Sequence, residues 1–133
     1  IRLSEQYRMS KQIRFIDHCK NIALAYKVSD IIVSASNEPE AFGRVSVEAQ
    51  SMGKPIVASN IGGSNETIID EKTGFLFESN NAKSLSKQIL RVLNMDETSL
   101  KMMGIEARKN VTQRFNVEKM CFSTYSEYKR LLN

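Results

Sequence analysis

The chain of 133 residues has the length of about one domain, and its 41% hydrophobic residues are ordinary for a globular fold. The net charge of +4 is spread thinly, with no run of five Lys or Arg, which argues against nucleic acid and leaves an anionic ligand or a membrane surface as partners. No apolar stretch approaches the roughly 20 residues that cross a bilayer, and Ile1-Arg2-Leu3-Ser4-Glu5 carries neither a signal-peptide pattern nor an initiator Met, so the chain is expected to be part of a longer polypeptide.

Ile1, Leu3, Tyr7 and Met9 have the spacing of a helix end. Ile13-Arg14-Phe15-Ile16 alternates like a strand, and Asp17 to Lys20 follows as a loop at its carboxyl end. His18, the sole histidine, would therefore sit on the ligand-facing side of a sheet, either as a phosphate or sugar contact or as a solvated loop residue. Asn21 is placed to cap a short helix through Tyr26 to Val28, and Ile31 to Ala35 reads as a buried strand. Cys19 and Cys121 lie far apart outside any C-x-x-C pattern, so neither a zinc nor a redox motif is expected and a reducing, cytosolic setting fits.

The stretch from Ser36 to Pro55 carries the chemistry. A helix is expected to start at Phe42-Gly43 and to stop at Gly53, with the strand Pro55 to Ala58 beyond it. In a parallel α/β sheet the loops leaving the carboxyl ends of strands form the ligand crevice, which puts Ser36 to Arg44 in a pocket. The first helical turn offers backbone N–H groups from Phe42, Gly43 and Arg44 together with the positive end of the helix dipole, a natural seat for phosphate. Gly43 has no side chain to block the approach. Glu40 precedes the helix and Glu48 lies inside it, with seven residues between them. A carboxylate at Glu48 is suited to accept from two neighbouring hydroxyls, and phosphate beside a diol suggests a nucleotide.

Downstream, Gly62-Gly63 in the loop after the second strand reads either as a tight turn or as a place where backbone nears a ligand. A short helix is expected around Glu66 to Ile69, a turn at Asp70 to Gly74 and a strand at Phe75 to Phe77. A helix with Ala82, Leu85, Ile89, Val92 and Leu93 on one face follows Asn80-Asn81, and another spans Thr98 to Phe115. Val117, Cys121, Tyr125, Tyr128 and Leu132 line a terminal helix over about 117–132, and stripes of this kind usually mean packing. There is no repeat or linker, so residues 1–133 read as one unit.

The chain contains no G-x-G-x-x-G, no P-loop and no Asp-x-Asp pair, which points away from dinucleotide oxidoreductases, ATPases and metal-dependent nucleotide-sugar transferases. The ordered cassette Ser34, Glu38, Ala41-Phe42-Gly43, Glu48-Ala49, Met52 to Ala58, Gly62-Gly63, Glu66 and Thr73 to Leu76 resembles the carboxy-terminal, nucleotide-sugar-binding domain of retaining GT-B glycosyltransferases. The likeness covers roughly residues 12–131.

The resemblance implies a Rossmann-like parallel sheet with flanking helices. It makes Glu40 and Glu48 the family's paired glutamates, with Glu40 facing the donor sugar, Glu48 holding the ribose, and the backbone of Phe42, Gly43 and Arg44 meeting the diphosphate. Arg44 stands where an aliphatic residue is commonest, and either pairs with Glu48 or reaches a phosphate. The family's basic diphosphate clamp and its acceptor-binding amino-terminal domain have no counterpart in these residues, so this chain alone is expected to be inactive. In the family's sheet order the strands from Ile13 to Ile16 onward correspond to the third through sixth, so two strands are expected to be missing between Ile13 to Ile16 and Ile31 to Ala35; the chain is then part of a larger polypeptide, its strands pair differently, or another copy supplies the gap.

By resemblance, the function is transfer of a glycosyl unit from a nucleoside diphosphate sugar to a sugar or lipid-linked acceptor, with retention, in capsule or lipopolysaccharide synthesis. No cofactor or metal is implied, and the setting is cytoplasmic, at the inner face of the membrane. The alternatives are a sugar-nucleotide epimerase or phosphorylase of the same architecture, or a non-catalytic nucleotide-sugar-binding module.

Overall fold

Ile56-Val57-Ala58-Ser59 forms β2, the middle strand of a three-stranded parallel sheet, and all four residues are buried because helices cover both faces. This is a computed structural model, and it describes residues 2–132. The outer strands are β1 (Ile32–Ser34) and β3 (Phe75–Phe77), in the order β1-β2-β3. Ile32 lies opposite Ile56, and Val57 opposite Phe75. The helices are α1 (Arg2–Gln6), α2 (Ile22–Val28), α3 (Arg44–Ser51), α4 (Ser64–Thr67), α5 (Ala82–Leu93), α6 (Glu97–Arg114) and α7 (Val117–Leu132).

The two-residue period of β2 divides the core. Ile56 and Ala58 point to one side, where Tyr26 of α2, Ala49 of α3 and Ile68 close around them. Val57 points to the other, against Phe75, Phe77, Val92 of α5 and Met103 of α6. Past the sheet, α6 lies against α3 so closely that a Cβ on Gly104 would come within 2.5 Å of the Gly53 carbonyl oxygen. A buried polar cluster locks the same contact. Gln50 donates to the carbonyls of Ser46 and Thr67 at 3.2 and 2.9 Å, and Asn110 donates to Gln50 Oε1 and to Thr67 O at 3.0 and 2.9 Å.

The outer edge of β3 is closed by side chains. The Leu76 N–H donates to Asp70 Oδ1 at 2.8 Å, and Gln88 donates to the Leu76 carbonyl at 2.9 Å. Both backbone groups that a further strand would use at Leu76 are thus occupied.

The α/β architecture is the expected one, with three of the expected strands and the main helices close to their sequence positions. Asn81 caps α5 by accepting from the Ser84 N–H, whereas Asn21 stands at the start of α2 without a side-chain cap bond. Three expectations need correction. The segment Ile13 to Ile16 is not a strand; it is irregular, with Ile16 79% exposed, because no neighbouring strand offers it a hydrogen-bonding ladder. The expected gap of two strands goes with it, since the three strands among the described residues are adjacent and sequential. The short helix begins at Ser64 rather than Glu66 and gives way to extended backbone at Ile68. At the start of the chain, α1 ends at Gln6 and Arg8 turns the backbone at a φ of 55°, while Ile1 lies outside the described residues. The apolar stripe of α7 is left largely exposed: Val117, Cys121, Tyr125, Tyr128 and Leu132 are all exposed, and no described residue of the helix is buried.

Candidate functional site

The start of α3 is shaped by Gly43, which enters the helix at a φ of 74°, a left-handed conformation that costs an L side chain energy. A Cβ there would lie 3.3 Å from the Ser64 nitrogen, so the first turn of α3 abuts α4. The Ser46 and Val47 amides bond back to the Gly43 carbonyl at 3.0 and 3.3 Å. Those of Phe42, Gly43, Arg44 and Val45 have no acceptor among the described residues. The first three are the groups expected to receive phosphate, and all four are gathered at the positive end of the helix dipole.

The loop before this helix is clamped from below. Gly63 donates its N–H to the Glu40 carbonyl at 2.8 Å. A Cβ on Gly62 would fall 2.6 Å from that carbonyl oxygen, and one on Gly63 would fall 2.4 Å from the Phe42 carbonyl carbon. Gly62 and Gly63 were expected to form a turn or to let backbone near a ligand; here they let backbone near backbone, fixing the loop that carries Glu40. The half-buried Glu40 carboxylate is held from its own loop, where the Ser36 hydroxyl donates to Oε1.

Glu48, one turn into α3, is also half-buried and has two anchors. Tyr26 donates its hydroxyl to Oε2 at 2.9 Å, and Arg44 donates to Oε1 at 3.0 Å. Of the two roles open to Arg44, the structure therefore displays the pair with Glu48. Burial, then the bond to Glu48, push the Tyr26 phenol up to about 12.

His18 is not brought to this site. It is exposed in the irregular segment and makes no hydrogen bond or ion pair with the residues above; its expected position depended on a strand at Ile13 to Ile16 that does not form. Conversely, Tyr26 was legible only as part of a helix. Nothing in spacing links it to Glu48, 22 residues on. Ser36 falls within the stretch read as pocket lining, but its bond to Glu40 needed the loop's conformation.

Beside the α3 start, Phe42 meets Phe115 edge-on at 5.5 Å, and a cavity of about 480 Å³ opens among Phe42, Phe115, Val117, Met120, Arg114 and Lys119. A larger groove of about 910 Å³ runs along α5 past Lys83, Lys87, Leu90 and Arg91 to Phe75, and shares no residue with the site.

Residues 1–110 match the family described as glycosyl transferases group 1. The chain belongs to this family. Among curated relatives, the capsular polysaccharide biosynthesis glycosyltransferase CapM of Staphylococcus aureus is 31% identical over 110 residues, covering 77% of this chain and 29% of CapM. Among solved structures, a glycosyltransferase from Rickettsia africae ESF-5 superposes with a TM-score of 0.93 at 36% identity, over 99% of this chain and 35% of that one. Anabaena Alr3699/HepE, solved in complex with UDP-glucose, gives a TM-score of 0.87 at 25% identity over 96% and 35% of the two chains. This group 1 chain therefore spans about a third of the length of these three proteins. Its fold is that of the GT-B glycosyltransferases, as the sequence cassette implied.

Proposed function

We propose that the polypeptide carrying this chain transfers a glycosyl unit from a nucleoside diphosphate sugar to an acceptor, with retention at the anomeric carbon. One observation carries the reading: the amides at the start of α3 have no acceptor among the described residues and lie in the chain between two anchored carboxylates, Glu40 before the helix and Glu48 within it. The amides of Phe42, Gly43 and Arg44 receive the diphosphate, Glu48 accepts from the ribose hydroxyls, and Glu40 accepts from the donor sugar and favours its oxocarbenium character.

The acceptor hydroxyl approaches the face from which the phosphate departs. Its oxygen forms the new bond to the anomeric carbon while the bond from that carbon to the phosphate oxygen breaks. The bonding pair goes to the phosphate, which takes the acceptor's proton. Negative charge building on the phosphate is met by the amides and the dipole of α3. No resident metal enters this reading, which follows from the missing Asp-x-Asp pair in the sequence.

The similarity to CapM, a capsular polysaccharide biosynthesis glycosyltransferase, supports an acceptor of a bacterial surface glycan; the proposed setting is the cytoplasmic face of the membrane, with a sugar or lipid-linked acceptor. Among the described residues no helix is long and apolar enough to cross a membrane. The test is turnover of a panel of nucleoside diphosphate sugars by the full polypeptide, with the anomeric configuration of product read by NMR. Release of nucleoside diphosphate with a retained anomer is expected. An inverted product, or no turnover with any donor and acceptor pair, overturns the proposal.

A further inference from the structure

The two partners of Glu48 differ in kind. Arg44 is on the same helix, its side chain 82% exposed, and an exposed pair of this sort is weak and readily exchanged for water or ligand. Tyr26 comes from α2, is 6% exposed, and packs in the core with Ala49, Ile56 and Ala58. Its ring cannot follow a moving carboxylate without disturbing that packing. Burial and the bond to Glu48 keep the phenol protonated at any ordinary pH, so it is a permanent donor. An ionised carboxylate has about four acceptor positions. Tyr26 occupies one of them, and departure of Arg44 would free another.

We propose that Tyr26 is a positioning residue: its hydroxyl pins Glu48 Oε2 so that the remaining lone pairs of the carboxylate face the ribose diol of the donor, while Arg44 is the partner displaced when the nucleotide binds. The inference rests on the proposed reading of this site as one for nucleoside diphosphates. It assigns to α2, an element outside the Glu40 to Glu48 stretch, a share in telling ribose from its deoxy forms. Tyr26→Phe keeps the ring and removes only the donor. A structural role for the hydroxyl would weaken every ligand alike, whereas a role through Glu48 weakens only ligands that have the diol.

The experiment is calorimetric titration of the full polypeptide with uridine, guanosine and adenosine diphosphates, then with the 2′,3′-dideoxy form of whichever binds best. For Tyr26→Phe, a loss on the order of tenfold for the ribonucleotide (about 1.4 kcal/mol) is expected, with the dideoxy form unchanged within about twofold. In a Glu48→Gln background the Tyr26→Phe loss should shrink. Equal loss for both ligands, or none for either, overturns the inference and leaves the nucleotide site standing. Wild-type protein that binds the two forms equally overturns both the inference and the ribose role of Glu48. Wild-type protein that binds no nucleoside diphosphate overturns the functional reading and this inference with it. A second measurement does not depend on the variant folding: in wild-type protein with 13C-labelled tyrosine, the Tyr26 Cζ resonance should move on adding the ribonucleotide and stay in place with the dideoxy form. A resonance indifferent to the diol overturns the inference.

Discussion

Glu40 and Glu48 are chemically the same group, but they are anchored differently, and on the proposed reading they have different tasks. Glu40 is tied to Ser36 within its own loop, whereas Glu48 is tied to a core tyrosine and a surface arginine. Glu48→Gln should therefore raise the dissociation constant for nucleoside diphosphate, because charge-assisted hydrogen bonds worth about 1.5 to 3 kcal/mol are weakened. Glu40→Gln should depress turnover more than nucleotide affinity. Calorimetry beside steady-state kinetics separates the two, and equal losses in both quantities would end the division of labour. Tyr26 also gives stability a pH dependence. Its folded pKa of about 12 lies above the ordinary 10.0, so its contribution is complete below about pH 10 and is lost as pH rises through about 12. The stability advantage of wild type over Tyr26→Phe should thus shrink by on the order of 2 to 3 kcal/mol across that window. Denaturant unfolding at stepped alkaline pH measures it, and a gap that does not change would mean that the phenol titrates normally.

The elements that matter to the site are held by backbone contacts that only glycine admits. The loop from Glu40 to Phe42 rests on Gly62 and Gly63, and the Gly63 amide bonds to the Glu40 carbonyl. Gly63→Ala would drive a methyl group to within 2.4 Å of the Phe42 carbonyl carbon. Main chain cannot swing aside as a side chain can, so the loop must move. The substitution is expected to cost about 1 to 3 kcal/mol of stability and to weaken donor binding as well. Thermal unfolding and calorimetry together test this, and a variant with wild-type values in both would show the loop to be free of α4. The far side of α3 is fixed by Gln50 and Asn110, whose amides tie it to Thr67 and α6. The α3 start, the α4 start and the Glu40 loop therefore form one rigid support, which is what preorganised phosphate recognition requires.

At the scale of the whole molecule, the two flanks differ in what they leave exposed. The β3 edge is blocked by Asp70 and Gln88, while α7 presents Val117, Met120, Tyr125 and Tyr128 to solvent. Apolar area on this scale is costly to leave wet, so the 133-residue chain in isolation should self-associate through α7. Sedimentation should show a concentration-dependent mass that Tyr125→Glu with Tyr128→Glu reduces; a monomer at all concentrations would refute it. The sequence alone determined the α/β class, the start and stop of α3, and the exposed amides of its first turn between Glu40 and Glu48 in the chain, because these depend on local periodicity, capping and helix-end chemistry. It misjudged Ile13 to Ile16 because alternation describes a strand only where a neighbour supplies the ladder, and His18 lost its expected place with that strand. Only the tertiary structure decided that Gly62 and Gly63 serve the Glu40 loop and that Tyr26 reaches Glu48. Contacts between residues far apart in sequence leave no periodic trace, since the packing of β2 between its helices, not the order of residues along the chain, brings them together.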